Sequence, residues 1–378
     1  MSNSLQKQLF LHKFKKAEAH LGLSVGEDDD EGKDGLGDLP CISPSPKSNK
    51  SSSHAAPLPN WKEYFSFNEK VELSDQNFVL NTYYNLPSTT ETSSLPIFIF
   101  HHGAGSSAMT FAPLAKELYD RLEGKCGTFS FDARGHGQSR PISNDIPINY
   151  DLDTFVQDFK LMVETFYNDH LLELPQGKLS LIFVGHSLGG SICTFLFHKL
   201  NETIRNKALG VAMFDIVEEA AILALDKVDS FLAATPNNFR SMDEAVDWHV
   251  ANGLSKTRSS ASVAIPALFR ESSTGKVIRI TNLLDFSPFW NTWFKGLSER
   301  FVSLPTSKLL ILAGNDNLDK RLIIGQMQGK YQLVVFQESG HFIQEDYPAK
   351  TAVTLIDFWK RNDTKSMVIK TNWGHSDK

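Results

Sequence analysis

The stretch Leu181–Gly190, which reads LIFVGHSLGG, decides the fold of this 378-residue chain. Its four leading apolar residues predict a buried strand, and the residues from Leu188 onward have helical periodicity. Between the two lies G-x-S-x-G, the nucleophile elbow, in the strand-to-helix context that it requires. Gly185 and Gly189 are needed there because the turn is tight and neighbouring backbone crowds it. The sequence therefore predicts Ser187 as a nucleophile exposed at the top of a sheet.

Other short apolar runs along the chain also predict buried strands. Their near-continuous hydrophobicity is typical of a sheet covered on both faces. Segments with helical periodicity, such as 151–168 and 188–200, alternate with them and favour a mostly parallel, doubly wound sheet. The remaining predicted strands are 96–100, 128–131, 210–214 and 309–312. We therefore expect the α/β class and, with the elbow, an α/β-hydrolase fold.

The chain divides into four predicted parts. Residues 1–22 form a short N-terminal helical segment, and 23–58 a disordered linker that is acidic and then Ser/Pro-rich. Residues 59–362 form the hydrolase domain, and 363–378 a C-terminal tail. Within the domain, 216–305 contains little that indicates strand and much that indicates helix, so an inserted helical cap is expected there.

Composition and charge argue against several classes of protein. A formal charge of −6 with no long basic stretch argues against a nucleic-acid partner, and no apolar run reaches the ~18–20 residues that a membrane span needs. The three widely spaced cysteines, Cys41, Cys126 and Cys193, predict neither a disulfide framework nor a zinc site. We expect a cytoplasmic protein, with the nucleus as a second compartment. The basic N-terminal segment contains no arginine, which disfavours a mitochondrial presequence.

A glycine-containing loop, HHGAG at 101–105, follows the first predicted buried strand. In folds with a nucleophile elbow this loop donates one backbone N–H to the oxyanion hole, and the residue after the nucleophile donates the other. The predicted donors are therefore Ala104 and Leu188. A second loop, DARGHGQS at 132–139, is expected to brace its neighbour, and His136 is not assigned to catalysis.

The general base must be a histidine, since a serine hydroxyl needs a proton acceptor that titrates near neutral pH. Of twelve histidines, His341 follows the last predicted strand, where the chain order nucleophile, acid, base places it. The acid, which orients the imidazole, has three candidates. Asp316 and Asp319 follow the next-to-last strand and Asp215 follows the strand before, so position alone favours Asp316.

From Trp61 to about Trp359 the chain closely resembles the protein phosphatase methylesterases. Six segments carry the resemblance: PNWKEYF at 59–65, MFDIVE at 213–218, AVDW at 245–248, WNTWFKGLS at 290–298, LAGNDNLDK at 312–320 and IGQMQGK at 324–330. The departures are Leu188, where methionine is common, and Ala104, which replaces one glycine of an H-G-G-G loop. Both residues would act through backbone N–H groups.

The resemblance implies an activity and a set of residues. That family removes the methyl ester from the C-terminal leucine of the type 2A protein phosphatase catalytic subunit, which would be the partner. Its nucleophile and base map to Ser187 and His341, and its acid maps to Asp215 rather than Asp316. No metal or organic cofactor is implied. Candidate partner contacts are Met327, Gln328, Trp290 and Trp293, with packing of the cap as the alternative role for these side chains.

Two other functions stay open at this point. The chain could be a general carboxylesterase on small esters, or a non-catalytic module that binds the phosphatase. Serine at position 187 argues against dehalogenase and epoxide-hydrolase chemistry, which use aspartate there. An intact set of Ser187, Asp215 and His341 argues against pure binding.

Overall fold

The computed structural model describes residues 58–366 apart from 226–227, 229–231, 233–234 and 315–316. The predicted N-terminal helical segment, nearly all of the predicted linker and most of the predicted tail therefore lie outside the described residues. So does Asp316, one of the three candidate acids.

A nine-stranded sheet forms the centre of the described chain. Its strand order is β1-β2-β4-β3-β6-β7-β11-β12, with β5 paired to β2, and the five pairings from β4 through β12 are parallel. The strands are β1 Phe67–Leu73, β2 Phe78–Asn85, β3 Leu95–His101, β4 Gly127–Phe131, β5 Arg140–Pro141, β6 Leu179–His186, β7 Ala208–Phe214, β11 Ser307–Ala313 and β12 Gln332–Phe336. The predicted α/β fold and all five predicted strands are confirmed.

Helices cover both faces of this sheet, which explains the continuous apolar runs. In β6, Phe183 packs into one apolar cluster, while Ile182 and Val184 pack into the other on the opposite face. The helices outside the cap are α1 Ala112–Arg121, α2 Leu152–Phe166, α3 Leu188–Leu196, α4 Glu202–Arg205, α9 Lys320–Met327, α10 Ile343–Asp346 and α11 Pro348–Asn362. Residues of α1 and α11 line one cluster, and residues of α2 and α3 line the other.

Among the described residues, four α-helices lie in the interval 216–305, which is called the cap below. Its helices are α5 Glu218–Leu225, α6 Met242–Ala251, α7 Arg258–Ala264 and α8 Leu297–Ser303. It also contains a small antiparallel sheet of β8 Asn238–Phe239, β9 Phe269–Glu271 and β10 Val277–Arg279. The sequence pattern does not predict these strands, because runs of two or three residues are too short to show a period of two.

Short 3₁₀ helices connect several of these elements. They are Trp61–Glu63, Ser74–Gln76, Ala108–Phe111, Phe197–Lys199, Ile265–Leu268, Leu283–Phe286, Trp290–Thr292 and Thr364–Ser366, and a π-helical turn at Tyr167–Leu171 extends α2. Across the described residues, no helix combines the length and the apolar composition of a membrane span.

Candidate active site

The turn between β6 and α3 holds Ser187 in a strained backbone conformation. Its φ of 52° and ψ of −121° lie outside the regions that non-glycine residues ordinarily adopt. At both glycines of the motif, neighbouring backbone leaves no room for a side chain, as the sequence predicts. A Cβ at Gly185 would lie 2.1 Å from the Gly189 carbonyl oxygen, and one at Gly189 would lie 2.0 Å from the His101 carbonyl oxygen. The turn therefore closes only with glycine at both positions, and it lifts Ser187 to the carboxyl end of the sheet.

The loop after β3 lies directly against this serine. A Cβ at Gly103 would stand 3.0 Å from the Ser187 Cβ. Ala104 is exposed, and Leu188 is the first residue of α3, whose N–H has no intrahelical acceptor. Within the described chain, neither N–H donates to a protein acceptor. Two free donors thus flank Ser187, as an oxyanion hole requires.

Two buried histidines, one in each loop, join this loop to the 132–139 loop. The Ala133 N–H donates to Nε2 of His102 at 2.9 Å, and the Gly105 N–H donates to Nε2 of His136 at 3.0 Å. Burial lowers the pKa of His136 to about 4, so its ring is neutral at physiological pH and can accept this bond. The contacts of His136 fit the bracing role that the sequence predicts for the 132–139 loop.

His341 and Asp215 meet next to the nucleophile motif, because the centroid of the His341 ring lies 4.6 Å from that of His186, the residue before Ser187. Nδ1 of His341 lies 2.8 Å from Oδ2 of Asp215, and the other carboxylate oxygen accepts the Ala313 N–H at 2.8 Å. Asp215 has φ 49°, a left-handed conformation that turns the chain sharply at the end of β7. Since a carboxylate can only accept, Nδ1 carries a proton, and in the neutral form of the ring Nε2 keeps its lone pair. That lone pair is what a general base offers to a serine hydroxyl.

The second acid candidate, Asp319, has a different task. It is the N-cap of α9: its Oδ1 accepts the Leu322 N–H at 2.9 Å, and its other oxygen accepts the Ser298 hydroxyl. A buried carboxylate in these bonds caps a helix and ties it to α8. Of the candidate acids that the structure describes, only Asp215 contacts His341.

Asp346, in α10, links the loop that carries His341 to the cap. Its Oδ2 accepts the Gly340 N–H at 2.7 Å, and its Oδ1 accepts the Lys256 N–H, from the cap, at 2.9 Å. Asp346 therefore joins the cap to the residue that precedes the base.

A second buried carboxyl lies next to it. Glu345 is buried in α10 and accepts the Thr110 hydroxyl. Burial raises the pKa of Glu345 to about 8; the Thr110 bond opposes the shift and the charge of Asp346 adds to it. At neutral pH this carboxyl is protonated in the folded protein.

Replacing Glu345 with glutamine tests this state. The folded pKa lies above the unfolded value, so the contribution of Glu345 to stability is full below pH ~4.5 and is lost as pH rises through about 8. Between pH 6 and pH 9 the wild type should lose about 2–3 kcal/mol of unfolding free energy more than Glu345→Gln does. Denaturant unfolding at both pH values measures the difference. Glu338→Gln, at an exposed site, should keep the wild-type pH dependence, and parallel curves for wild type and Glu345→Gln would contradict the assignment.

Comparison of the sequence with known proteins shows the family to which this chain belongs. Residues 96–348 match the model of the alpha/beta hydrolase fold. Protein phosphatase methylesterase 1 of Saccharomyces cerevisiae is 54% identical over 99% of this chain and 98% of its own length. The chain belongs to the protein phosphatase methylesterase family of α/β hydrolases. Protein phosphatase methylesterase 1 of Schizosaccharomyces pombe is more distant, at 38% identity over 81% of this chain and 86% of its own length.

Solved structures agree with this fold assignment. E-2-(acetamidomethylene)succinate hydrolase superposes with a TM-score of 0.60 over 78% of this chain and 99% of its own, at 17% identity. An α/β hydrolase from Novosphingobium aromaticivorans gives a TM-score of 0.57 at 16% identity. At these identities the similarity shows the fold alone.

The methylesterase-like segments differ in how much surface they present. Met327, at the end of α9, is 84% exposed, and Gln328 is also exposed, so both are free to contact a partner. Trp290 and Trp293 are only 7% and 3% exposed. The prediction of a contact surface at these two tryptophans is wrong. Their rings pack into the core beneath the cap, and the Trp293 indole N–H donates to the Tyr150 carbonyl at 2.8 Å.

Two further residues of this methylesterase-family site are not predicted from the sequence. His186, inside the nucleophile motif, contacts the His341 loop, and Asp346 holds that loop from the other side. The His186 contact joins residues 155 apart in the chain, whereas Gly340 and Asp346 are only six residues apart. The adjacent carboxyl pair at 345–346, shortly after the base, is the one local signal that could have drawn attention to Asp346.

Proposed function

We propose that this chain is a serine carboxylesterase that hydrolyses the methyl ester on the C-terminal leucine of a type 2A protein phosphatase catalytic subunit. The observation that supports it most directly is the 2.8 Å bond from His341 to Asp215, beside a strained Ser187 flanked by two free N–H donors. The relatives named protein phosphatase methylesterase 1 supply the substrate class. The exposed residues Met327 and Gln328 remain candidate contacts for the phosphatase. The proposed location of this chain is the cytoplasm, with the nucleus as a second compartment.

In the proposed first step, Nε2 of His341 takes the hydroxyl proton as Ser187 Oγ bonds to the ester carbonyl carbon. The carbonyl electron pair moves to oxygen, and the resulting oxyanion accepts bonds from the N–H groups of Ala104 and Leu188. Each such donor contributes ~3–4 kcal/mol to the transition state. The tetrahedral intermediate then breaks its bond to the methoxy oxygen, and the imidazolium protonates that oxygen, so methanol leaves.

The second step releases the phosphatase tail. A water molecule gives its proton to His341 and attacks the acyl-enzyme carbon, and the same two N–H groups receive the oxyanion. Collapse breaks the bond to Ser187 Oγ, which takes the proton back from His341. The products are a leucine carboxylate, the proton that the new carboxylic acid gives to solvent, and the free enzyme. Asp215 keeps its charge throughout and stabilises the imidazolium.

The decisive experiment uses the methylated phosphatase catalytic subunit as substrate. Incubation with the full chain should remove one methyl group, as read by the mass of the C-terminal peptide. Ser187→Ala should bind the phosphatase without removing the methyl group. Turnover of a nitrophenyl ester with no loss of the phosphatase methyl group would favour a general carboxylesterase. Binding with no turnover of either substrate would favour a non-catalytic module.

A serine-directed fluorophosphonate gives a separate test of the nucleophile. We expect it to label the wild-type chain at Ser187 only, because labelling needs a hydroxyl activated by a neighbouring base, which ordinary serines lack. Peptide mapping by mass spectrometry locates the adduct. His341→Ala is the control and should label far more slowly. Equal labelling of several serines would show that the chain has no activated hydroxyl.

A further inference from the structure

His186 lies where the three loops of the site meet. It directly precedes Ser187 and is buried. Its ring centroid lies 4.6 Å from that of His341 and 4.9 Å from that of Phe342, and a Cβ added at Gly103 would lie 3.1 Å from its Nδ1. One side chain thus contacts the base loop and the oxyanion loop while its own backbone continues into the nucleophile.

The hydrogen bonding of His186 determines where its proton lies. Nε2 is 2.9 Å from the backbone carbonyl oxygen of His341. A carbonyl only accepts, so Nε2 carries the proton and donates. Burial holds the pKa of His186 well below its ordinary value, and the nearby His341 adds to this effect, so the ring is neutral. Nδ1 is then a bare acceptor, and it has no partner among the described residues.

A buried hydrogen-bond acceptor without a partner lowers the stability of the folded protein. A phenylalanine of similar shape would fill the same space without that disadvantage, but it could not donate to the His341 carbonyl. The only hydrogen bond that the described structure gives the His186 side chain is the one to the base.

The base needs such a restraint because packing does not supply it. The His341 side chain is 48% exposed, so its ring is not enclosed by neighbours. Its carboxylate partner, Asp215, fixes one end of the ring, and that bond fixes the imidazole only if the backbone carrying it stays in place.

We propose that His186 is a positioning residue for the base: its Nε2–H holds the His341 carbonyl and keeps the imidazole aligned with Ser187. This inference rests on the proposed function, since it assigns His186 an effect on a base that the proposal itself names. His186 takes no part in bond making, and it acts through a residue that lies next to it only in the folded protein.

Two amide variants separate this role from simple packing. In His186→Gln the amide nitrogen reaches the place of Nε2 and can still donate to His341, whereas in His186→Asn it reaches only the place of Nδ1. We expect His186→Asn to lower kcat on a nitrophenyl ester about 10²-fold, because misplacing a reacting group by about 1 Å costs that much. KM should change less than about threefold, and His186→Gln should recover at least about tenfold of the lost kcat.

His249 in the cap provides a matched control with the opposite geometry. It is also buried and bonded to a backbone carbonyl, but through Nδ1, which lies 2.7 Å from the Ala245 oxygen. His249→Gln should therefore lose the bond to Ala245 and lower the melting temperature, with kcat unchanged. Thermal melts of all variants show whether each is folded.

Several outcomes would overturn the proposal. They are equal kcat for folded His186→Asn and His186→Gln, wild-type kcat in His186→Asn, or an equal loss of kcat in His249→Gln. Should neither His186 variant fold, the residue is structural and the proposal fails. A wild type that hydrolyses the nitrophenyl ester but leaves the methylated phosphatase intact would refute the proposed substrate. The His186 comparison would still be decided on the small ester.

Discussion

Replacing Ser187 with alanine is expected to lower kcat for ester hydrolysis by about 10⁶-fold, the loss seen when a triad acts as one unit. His341 and Asp215 would remain paired, but no oxygen would be present to form the acyl bond. The residual rate would come from substrate binding and from the two N–H donors at Ala104 and Leu188. Single-turnover kinetics on the methylated phosphatase and on a nitrophenyl ester measure the loss.

The fold should survive this change. Within the described residues the Ser187 hydroxyl makes no hydrogen bond, and alanine tolerates the strained φ of 52° no worse than serine. A buried neighbour supplies the control, since the Ser191 hydroxyl donates to the Trp293 carbonyl at 2.6 Å. Ser191→Ala should lower the melting temperature and keep most of the activity. Near-full activity in Ser187→Ala would remove Ser187 from the mechanism.

Prediction from the sequence succeeded where the determining contacts are local. The elbow is decided within ten residues, because two glycines, a strand and a helix must adjoin for the turn to close. The buried strands were recognisable because both of their faces are covered. The hairpin of β1 and β2 is absent from the predicted strands: β1 reads FNEKVEL and is mostly exposed, so it carries no apolar run.

The parts that sequence reasoning left undecided or missed depend on contacts between distant segments. Trp290 and Trp293 belong to a motif that the resemblance singles out, yet only the packed structure shows that they fill the core. The bond of His186 to His341 joins residues 155 apart in the chain. No local pattern could distinguish this histidine from one that only fills space.

The choice of acid also depends on a contact between distant segments. Strands β7 and β11 are parallel neighbours in the sheet, so their carboxyl ends lie side by side. An aspartate after either strand could approach the same histidine, and for this reason position in the sequence favours Asp316 without excluding Asp319 or Asp215. The resemblance selects Asp215, and the structure brings it to His341.

Replacing Asp215 with asparagine is expected to lower kcat by about 10⁴-fold, because an amide favours the wrong imidazole tautomer. The structure shows how the amide of the Asp215→Asn variant would favour that tautomer. The Ala313 N–H donates to one oxygen of Asp215, so an Asn oxygen that keeps this bond leaves the NH₂ group facing Nδ1 of His341. The imidazole proton is then driven to Nε2, and the lone pair that the serine hydroxyl requires is lost.

The matched variants are Asp319→Asn and Asp316→Asn. Asparagine caps a helix about as well as aspartate, so Asp319→Asn should keep α9 in place and change kcat by less than about threefold. We expect a similarly small effect from Asp316→Asn, since the resemblance places the acid at the end of β7. All three substitutions are nearly isosteric, and thermal melts can confirm that folding is comparable. If Asp316→Asn proved the inactive variant while Asp215→Asn kept its activity, the acid assignment would be wrong. The bond between His341 and Asp215 would then serve the loop rather than the reaction, and the methylesterase resemblance would be weakened at its central motif.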